Sequence, residues 1–542
     1  MSIAAQPIWA RTLRAATIAL LVAASTFLAA PNHAWAQPAG DPIQTTAGLV
    51  QGFQRGALVE YMNVPFAAPT GGDARFLPPQ PVAPWSGVRT ETKSGPRCEQ
   101  RGLGPAATGQ SEDCLSIDIY APVDAVGRRL PVIVWLYGGA FVLGSSAQYS
   151  PDTLVADNDV IVAIPNYRSG VFGFLALPEA VKYASGGAVG NAGLLDQQMA
   201  LRWVRDNIAA FGGDPRNITL AGESAGAISV CAQLASPGAR GLFAKAIIES
   251  GICGHNTNVF APVAEAQRRA EAFAIEMGCD DDATRLICLR SLPAKQLLAS
   301  PTNGLADMKL TWTPTRDGVV LPFEMPDAAI AAGSTPDVPI IIGTNTREGT
   351  TFIGLSELAG QHNIPDPDSY AAFVNHMFGP NAGAILAEYS VERFGSAIAA
   401  QSAVITDGMF SCPALFTAQT VTGAGHNNPV WQYEFSPGML GSARAKLGGG
   451  AHAAELPYLF SKTNGLPSML RGSAKALSQQ MQRLWARFAY AGDPNAPDLP
   501  SWPRWTAGSP QNLEFGLEGS VPSTGFSDEH RCGFWDQLAG VS

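Results

Sequence analysis

One stretch constrains this chain more than any other. In ITLAGESAGAISVCAQL, residues 218–234, Ser224 stands between Gly222 and Gly226. The β-branched, apolar run before it reads as a strand, and the small-residue run after it reads as a helix. A strand that feeds straight into a helix through one residue makes a very tight turn. Its turning residue is driven toward positive φ, which strains any residue with a Cβ. Side chains two positions to either side would collide, so glycine is required at 222 and 226. The pattern G-x-S-x-G is that of a nucleophile elbow. It lifts a serine hydroxyl into the open at a helix N-terminus, where the helix dipole favours developing negative charge.

The surroundings set the fold class. The runs 130–139, 159–168, 217–224, 244–251, 338–345 and 429–435 are rich in Val and Ile and are stopped by Gly, Asn or Ser. Between them lie helical patterns, clearest at 194–211 and 474–490, where Leu477, Met481, Leu484, Trp485 and Phe488 share one face. Apolar strands separated by amphipathic helices predict an α/β fold with a large, mostly parallel central sheet covered on both sides. No repeat and no low-complexity linker divides residues 37–542, which are expected to form a single domain. The more polar stretch 255–330 reads as a helical insertion over the sheet edge.

Residues 1–36 are read apart from that domain. Arg11 and Arg14, with no acid nearby, precede the apolar AATIALLVAASTFLAA, which runs to HAWA with Ala34 and Ala36 at the spacing of a signal-peptidase site. A cleaved secretory signal is expected, with Gln37 as the first mature residue and a periplasmic or secreted product. No later run is long and apolar enough for a membrane anchor. Of 35 basic residues two lie in the signal, so 33 face 45 acids in the mature chain. That balance argues against nucleic acid as a partner. Eight cysteines, Cys98, Cys114, Cys231, Cys253, Cys279, Cys288, Cys412 and Cys532, all fall in the mature part. Export permits disulfides, and the absence of zinc-ligand spacing argues against a metal.

A serine nucleophile needs a base and a place for an oxyanion. The strand-following WLYGGAFVLGS, residues 135–145, supplies consecutive small residues whose backbone N–H groups suit a carbonyl oxygen. Of seven histidines, His33 lies in the signal and His255 comes too early for the order serine, acid, histidine. His362, His376 and His426 have polar contexts, and His530 sits among charges near the C-terminus. His452, in LGGGAHAAELPYLF, follows a glycine run and is the best base. Glu348, in IIIGTNTREGTTF, lies just past a buried strand, where catalytic loops gather in open α/β sheets.

At this point the chain resembles the type-B carboxylesterase family of the α/β-hydrolase fold, which includes the cholinesterases. The matching segments run in order along nearly the whole mature chain: MNVPFAAP, SEDCLSIDIYAP, VIVWLYGGAF, NYRSGVFGFLAL, the stretch 190–230 around GESAG, then IIESG, GTNTREG, GAHAAELPYLF, RFAYAGDPN and CGFWDQL. The resemblance implies Ser224 as nucleophile, His452 as base and Glu348 as the acid that orients it. It implies Gly139, Ala140 and Ala225 as oxyanion-hole donors, with Gly138 allowing the loop its turn. Ala140 replaces a glycine of many members, a change that spares the backbone donor. Glu223, Ser250 and Glu455 match a buried polar network beside the triad. Arg75 with Glu112, and Arg168 with Asp196, match structural ion pairs. Cys98–Cys114, Cys279–Cys288 and Cys412–Cys532 match three bridges of cholinesterase-like members. Cys231 and Cys253 either pair with each other or stay as buried thiols. No cofactor is implied, and the partner is a small-molecule ester.

Choline-specific members hold a quaternary ammonium on a tryptophan in the first disulfide loop. Here that loop, CEQRGLGPAATGQSEDC, has no aromatic residue, so poor choline-ester selectivity is expected. Arg347 and Arg316 raise the alternative of a polycarboxylate ester, such as that of a fumonisin-type toxin. Amide or carbamate hydrolysis shares the acyl chemistry and is a second alternative. Some family members are adhesion proteins without the nucleophile, but Ser224, Glu348 and His452 are all present here.

Overall fold

The structure, a computed structural model, describes residues 37–101, 109–183, 185–254, 259–303, 310–333, 337–358, 365–423, 428–438 and 449–539. Pro38–Ser542 form one compact unit. Its spine is a twelve-stranded sheet of β1 (Gln37–Pro38), β2 (Phe53–Arg55), β3 (Leu58–Pro65), β4 (Ser116–Pro122), β5 (Leu130–Leu136), β6 (Ile161–Pro165), β7 (Gly213–Glu223), β8 (Lys245–Glu249), β9 (Ile340–Asn345), β10 (Val430–Phe435), β11 (Asn512–Gly516) and β12 (Gly519–Ser523). The spatial order is β1-β2-β3-β4-β6-β5-β7-β8-β9-β10-β11-β12. From β6 to β11 every neighbour is parallel, whereas β2, β3, β4 and β12 pair antiparallel. The six expected strands, β5 to β10, are six of the seven that pair parallel, and β11 is the seventh. β11 and the antiparallel strands at the two margins went unmarked in sequence: β1, β2, β11 and β12 are short, and the longer, buried β3 and β4 interrupt their apolar residues with Glu60, Asn63, Ser116 and Asp118.

All seven residues of β5 and all five of β6 are buried, as expected of strands covered on both faces. The cover includes α1 (Ala192–Asn207), α2 (Ala225–Ala235), α3 (Gly349–Leu358), α4 (Ala397–Thr406), α5 (Cys412–Thr422), α6 (Gly472–Ala491) and α7 (Cys532–Ala539). The helix expected over 194–211 is shorter than its pattern. It tightens into a 3-10 turn at Ile208–Phe211 and stops at Gly212, where φ is +93° and a Cβ would lie 1.9 Å from the Ala125 carbonyl oxygen. Helix α6 spans the second expected pattern, burying Leu477, Met481, Leu484, Trp485 and Phe488. The segment 255–330 holds the helices Val263–Glu276, Arg285–Ser291, Ala294–Ala299 and Pro326–Ala331 among its described residues. No helix of the described residues is long and apolar enough to cross a membrane.

All eight cysteines are paired: Cys98–Cys114, Cys231–Cys253, Cys279–Cys288 and Cys412–Cys532. The open question of Cys231 and Cys253 resolves as a bridge between α2 and the segment after β8. Arg75 donates to both Glu112 oxygens, through Nε at 2.7 Å and through Nη2, while its Nη1 donates to the carbonyls of Leu289, Arg290 and Leu292. Arg168, just past β6, grips Asp196 of α1 with Nε and Nη2 at 2.8 and 2.7 Å, both side chains being almost wholly buried.

Removing one member of such a pair strands the other charge in the interior. Arg168→Ala is expected to destabilise the fold by roughly 3–5 kcal/mol. Denaturant midpoints of the two proteins measure it, and a midpoint equal to that of the native chain contradicts it.

Candidate active site

The carboxyl ends of adjacent parallel strands lie side by side, and the expected site residues issue from them. Leu136 at the end of β5 pairs with Gly222 of β7; Glu223 pairs with Glu249 of β8; Glu249 pairs with Gly343 of β9; and Gly343 pairs with Tyr433 of β10. In open α/β sheets this edge is where ligands bind. Ser224 leaves β7, the Gly138–Ala140 loop leaves β5, Glu348 lies three residues past β9, and His452 follows β10 through the chain 436–451.

The elbow has the strain expected of it. Ser224 has φ +55° and opens directly onto α2. A Cβ on Gly222 would lie 2.6 Å from the Gly226 backbone carbon, and one on Gly226 would lie 1.9 Å from the Leu136 carbonyl oxygen. Gly222 thus collides with the facing glycine, as expected, whereas Gly226 is forced by the neighbouring strand β5. Gly138 meets the elbow from the other side: a Cβ there would lie 3.0 Å from Ser224 Cβ. Gly139 and Ala140 have φ +118° and +56°. No backbone carbonyl of the described residues takes their N–H groups. Ala225, as the first residue of α2, has an N–H without an intrahelical partner.

His452 and Glu348 meet directly. Nδ1 lies 2.6 Å from Glu348 Oε2. The other carboxylate oxygen, Oε1, accepts from Ser250 Oγ at 2.6 Å and from the Asn345 N–H at 2.7 Å. Glu348 is fully buried. The two loops are also tied through backbone: Arg347 N–H donates to the Gly450 carbonyl at 2.8 Å, and Asn345 Nδ2 donates to the Ala451 carbonyl at 2.9 Å. Gly450, at φ +70°, leaves no room for a side chain, since a Cβ would lie 2.0 Å from Thr346 Oγ1. The imidazole is packed between Phe352 of α3 and Phe410, with ring centroids 4.9 and 5.0 Å away. Its Nε2 lies 3.2 Å from Glu223 Oε1, the carboxylate next to Ser224. Among the described residues no hydrogen bond joins Nε2 to Ser224 Oγ; such bonds are often long in unliganded sites and tighten with substrate.

The site is crowded with buried carboxyls. Burial lifts Glu223 to about 7 and Glu455 to about 8, and pushes Glu249 well above the usual carboxylate range. Burial alone would lower the pKa of His452, but the Glu223 and Glu348 charges outweigh it and raise it to about 9. Glu455 accepts from Asn345 Nδ2, and Glu249 Oε1 accepts from Trp485 Nε1 at 2.8 Å. The structure therefore brings together Ser250, Glu455, Glu223, Glu348 and His452. Asn345, Glu249, Phe352 and Phe410 were not singled out in sequence. The first three lie inside the motifs already quoted, but only tertiary packing puts the rings of Phe352 and Phe410 on His452.

Other sequence expectations find their places. His376 is exposed on the helix Pro367–Phe378, and His530 is buried away from this site. His33, His255, His362 and His426 lie outside the described residues, as does 102–108 of the first disulfide loop. Arg316 is engaged by the backbone, donating to the carbonyls of Phe260 and Phe323, and Arg347 is exposed.

Comparison with known proteins gives the family and the fold of the chain. The profile described as the carboxylesterase family matches residues 40–535. Para-nitrobenzyl esterase of Bacillus subtilis (strain 168) is 34% identical over 479 residues, covering 85% of this chain and 92% of that protein. Carboxylesterase 5A of Felis catus is 35% identical over 523 residues, covering 89% and 92%. A solved structure of a PNB esterase superposes with TM-score 0.77 at 32% identity, spanning 91% of this chain and 99% of its own. With a parallel sheet whose strand ends gather a serine elbow, a buried acid and an imidazole, the chain belongs to the carboxylesterase family and is a carboxylic ester hydrolase.

Proposed function

We propose that Ser224, His452 and Glu348 hydrolyse carboxylic esters through an acyl-enzyme. The observation that carries this reading is the 2.6 Å contact of His452 Nδ1 with a fully buried Glu348, made while Nε2 faces the elbow residues. His452 takes the Ser224 proton at Nε2 as Oγ attacks the ester carbonyl. The N–H groups of Gly139, Ala140 and Ala225 receive the oxyanion; removing one such donor costs about 3–4 kcal/mol of barrier. The imidazolium then hands its proton to the departing alcohol. A water, activated by the same Nε2, frees the acid and restores the serine. Glu348 accepts a hydrogen bond from Nδ1–H throughout, without taking the proton, fixing the tautomer and balancing the positive ring. Ester rather than amide substrates follow from the family, and p-nitrobenzyl and p-nitrophenyl esters are the natural first probes.

Export completes the proposal. Four disulfides are at home in an oxidising compartment. Cleavage after Ala36 predicts Gln37 at the N-terminus of the exported protein; N-terminal sequencing that finds residue 1 or 2 there overturns it.

Ser224→Ala is expected to lower kcat by about 10⁵-fold or more, and Glu348→Gln by about 10⁴-fold. A serine-directed phosphonate should add its mass to Ser224 of the native protein and not of the variant. Label on another residue, or turnover that survives in the variant, would refute the assignment.

The pH profile offers a separate check. His452 serves as base only when neutral, so kcat/KM is expected to rise with pH toward about 9. Glu223, lifted to about 7, is ionised in the upper part of that range, and its charge there helps hold the proton on the ring. Glu223→Gln removes that charge, so the acidic limb should move to lower pH. A limb that stays in place or moves upward counts against it.

A further inference from the structure

His530 takes no part in the reaction above, yet it is buried as deeply as His452, at 5% against 8% exposure. Carboxylates hold its ring at both nitrogens. Nδ1 lies 2.7 Å from Asp407 Oδ1, and Nε2 lies 2.7 Å from Glu434 Oε1. Asp407 opens a π-helical turn, Asp407–Ser411, between α4 and α5, and Glu434 is the fifth residue of β10. Both acids are buried. Burial opposes a charged ring, but the two carboxylates outweigh it and raise the pKa of His530 to about 10. At neutral pH it is an imidazolium between two carboxylates. The other charged and titratable groups around it are Glu529 and Arg531 beside it in the chain, Glu514 on β11, and Tyr389, whose hydroxyl donates to Asp407 Oδ2 at 2.8 Å.

The two clamped segments are the ones that bear on the catalytic groups. Thr406, immediately before Asp407, accepts at Oγ1 the N–H of Gly349 at 3.2 Å, the residue after Glu348. Phe410, three residues past Asp407, packs its ring 5.0 Å from that of His452. On the other side, Phe435 follows Glu434, and its carbonyl accepts the Thr346 N–H at 3.0 Å, at the start of the turn that presents Glu348. The Cys412–Cys532 bridge ties α5 to α7, just beyond the clamp at both ends. π-helical turns are frequent at functional sites, where the extra residue re-aims a side chain.

We propose that His530 is a positioning residue for ester hydrolysis: by bridging Asp407 to Glu434, it holds Thr406, Phe410 and Phe435 where they align Glu348 with His452. This rests on the triad reading given above. Without the imidazolium, buried Glu434 loses its cationic partner and Asp407 keeps only Tyr389 and the more distant Arg531, so nothing ties the π-helical turn to the end of β10 and the two move apart.

The test is His530→Gln in the full-length exported protein, assayed on a p-nitrophenyl ester. The expected result is a fall in kcat of about ten- to a hundredfold with KM nearly unchanged. The acidic limb of kcat/KM should also move to lower pH, because a loosened Glu348 holds the His452 proton less firmly. Asp407→Asn, which keeps the side-chain shape and leaves one carboxylate on His530, is the second variant should the first not fold, and the same two changes are expected. Phosphonate labelling of Ser224 separates this proposal from its premise. A native protein that takes no label on Ser224 refutes the triad reading. A labelled native protein beside a folded variant with native kcat and an unmoved limb makes His530 a structural tie only and overturns the proposal.

Discussion

The site depends on one hydrogen bond between residues 104 positions apart, His452 Nδ1 and Glu348 Oε2, made where the carboxylate is wholly buried and the imidazole nearly so. A buried carboxylate is costly unless its oxygens are satisfied. Glu348 is satisfied by the imidazole on one oxygen and by Ser250 and the Asn345 amide on the other. Those partners come from the ends of β8, β9 and the loop after β10. The bond therefore exists only when three neighbouring strands are in register.

Around that bond the protein gathers more acid than base. Glu223, Glu249 and Glu455 are buried with Glu348, and His452 is the one imidazole among them. Burial raises the first three toward neutrality, which lessens the repulsion that four full charges would generate. The same field holds the proton on His452 more firmly than water would. In the proposed mechanism it favours the imidazolium that forms as serine attacks and disfavours the neutral base that must precede attack. The His530 cluster repeats this electrostatic pattern, with a ring held between two carboxylates and raised in pKa by both.

Tight backbone approach does as much as charge. Gly138, Gly222 and Gly226 let the end of β5 and the elbow of β7 come within contact of each other, and Gly450 lets the histidine loop lie on the acid turn. The strain stored at Ser224, with φ +55°, persists because α2 and the strands on both sides of β7 leave the turn no other path.

Much of this was legible in the chain. The continuous apolar runs marked six of the seven parallel strands, because strands buried on both faces must be continuously apolar. Glycine on both sides of Ser224 marked the elbow, because no other residue fits so tight a turn. The margins of the sheet were not legible: Phe53–Arg55 and Gly519–Ser523 are short and partly exposed, and only pairing makes them strands. Nor were Phe352 and Phe410 as walls for His452, Gly226 as a spacer against β5, or His530 as a bridge, since each depends on which distant segment arrives beside it. The sequence by itself determined the kinds of group present and the turn that exposes one of them, for these follow from local sterics and periodicity. Which oxygen meets which nitrogen was decided only by the tertiary structure, because side-chain partnership is set by the order and register of strands far apart in the chain.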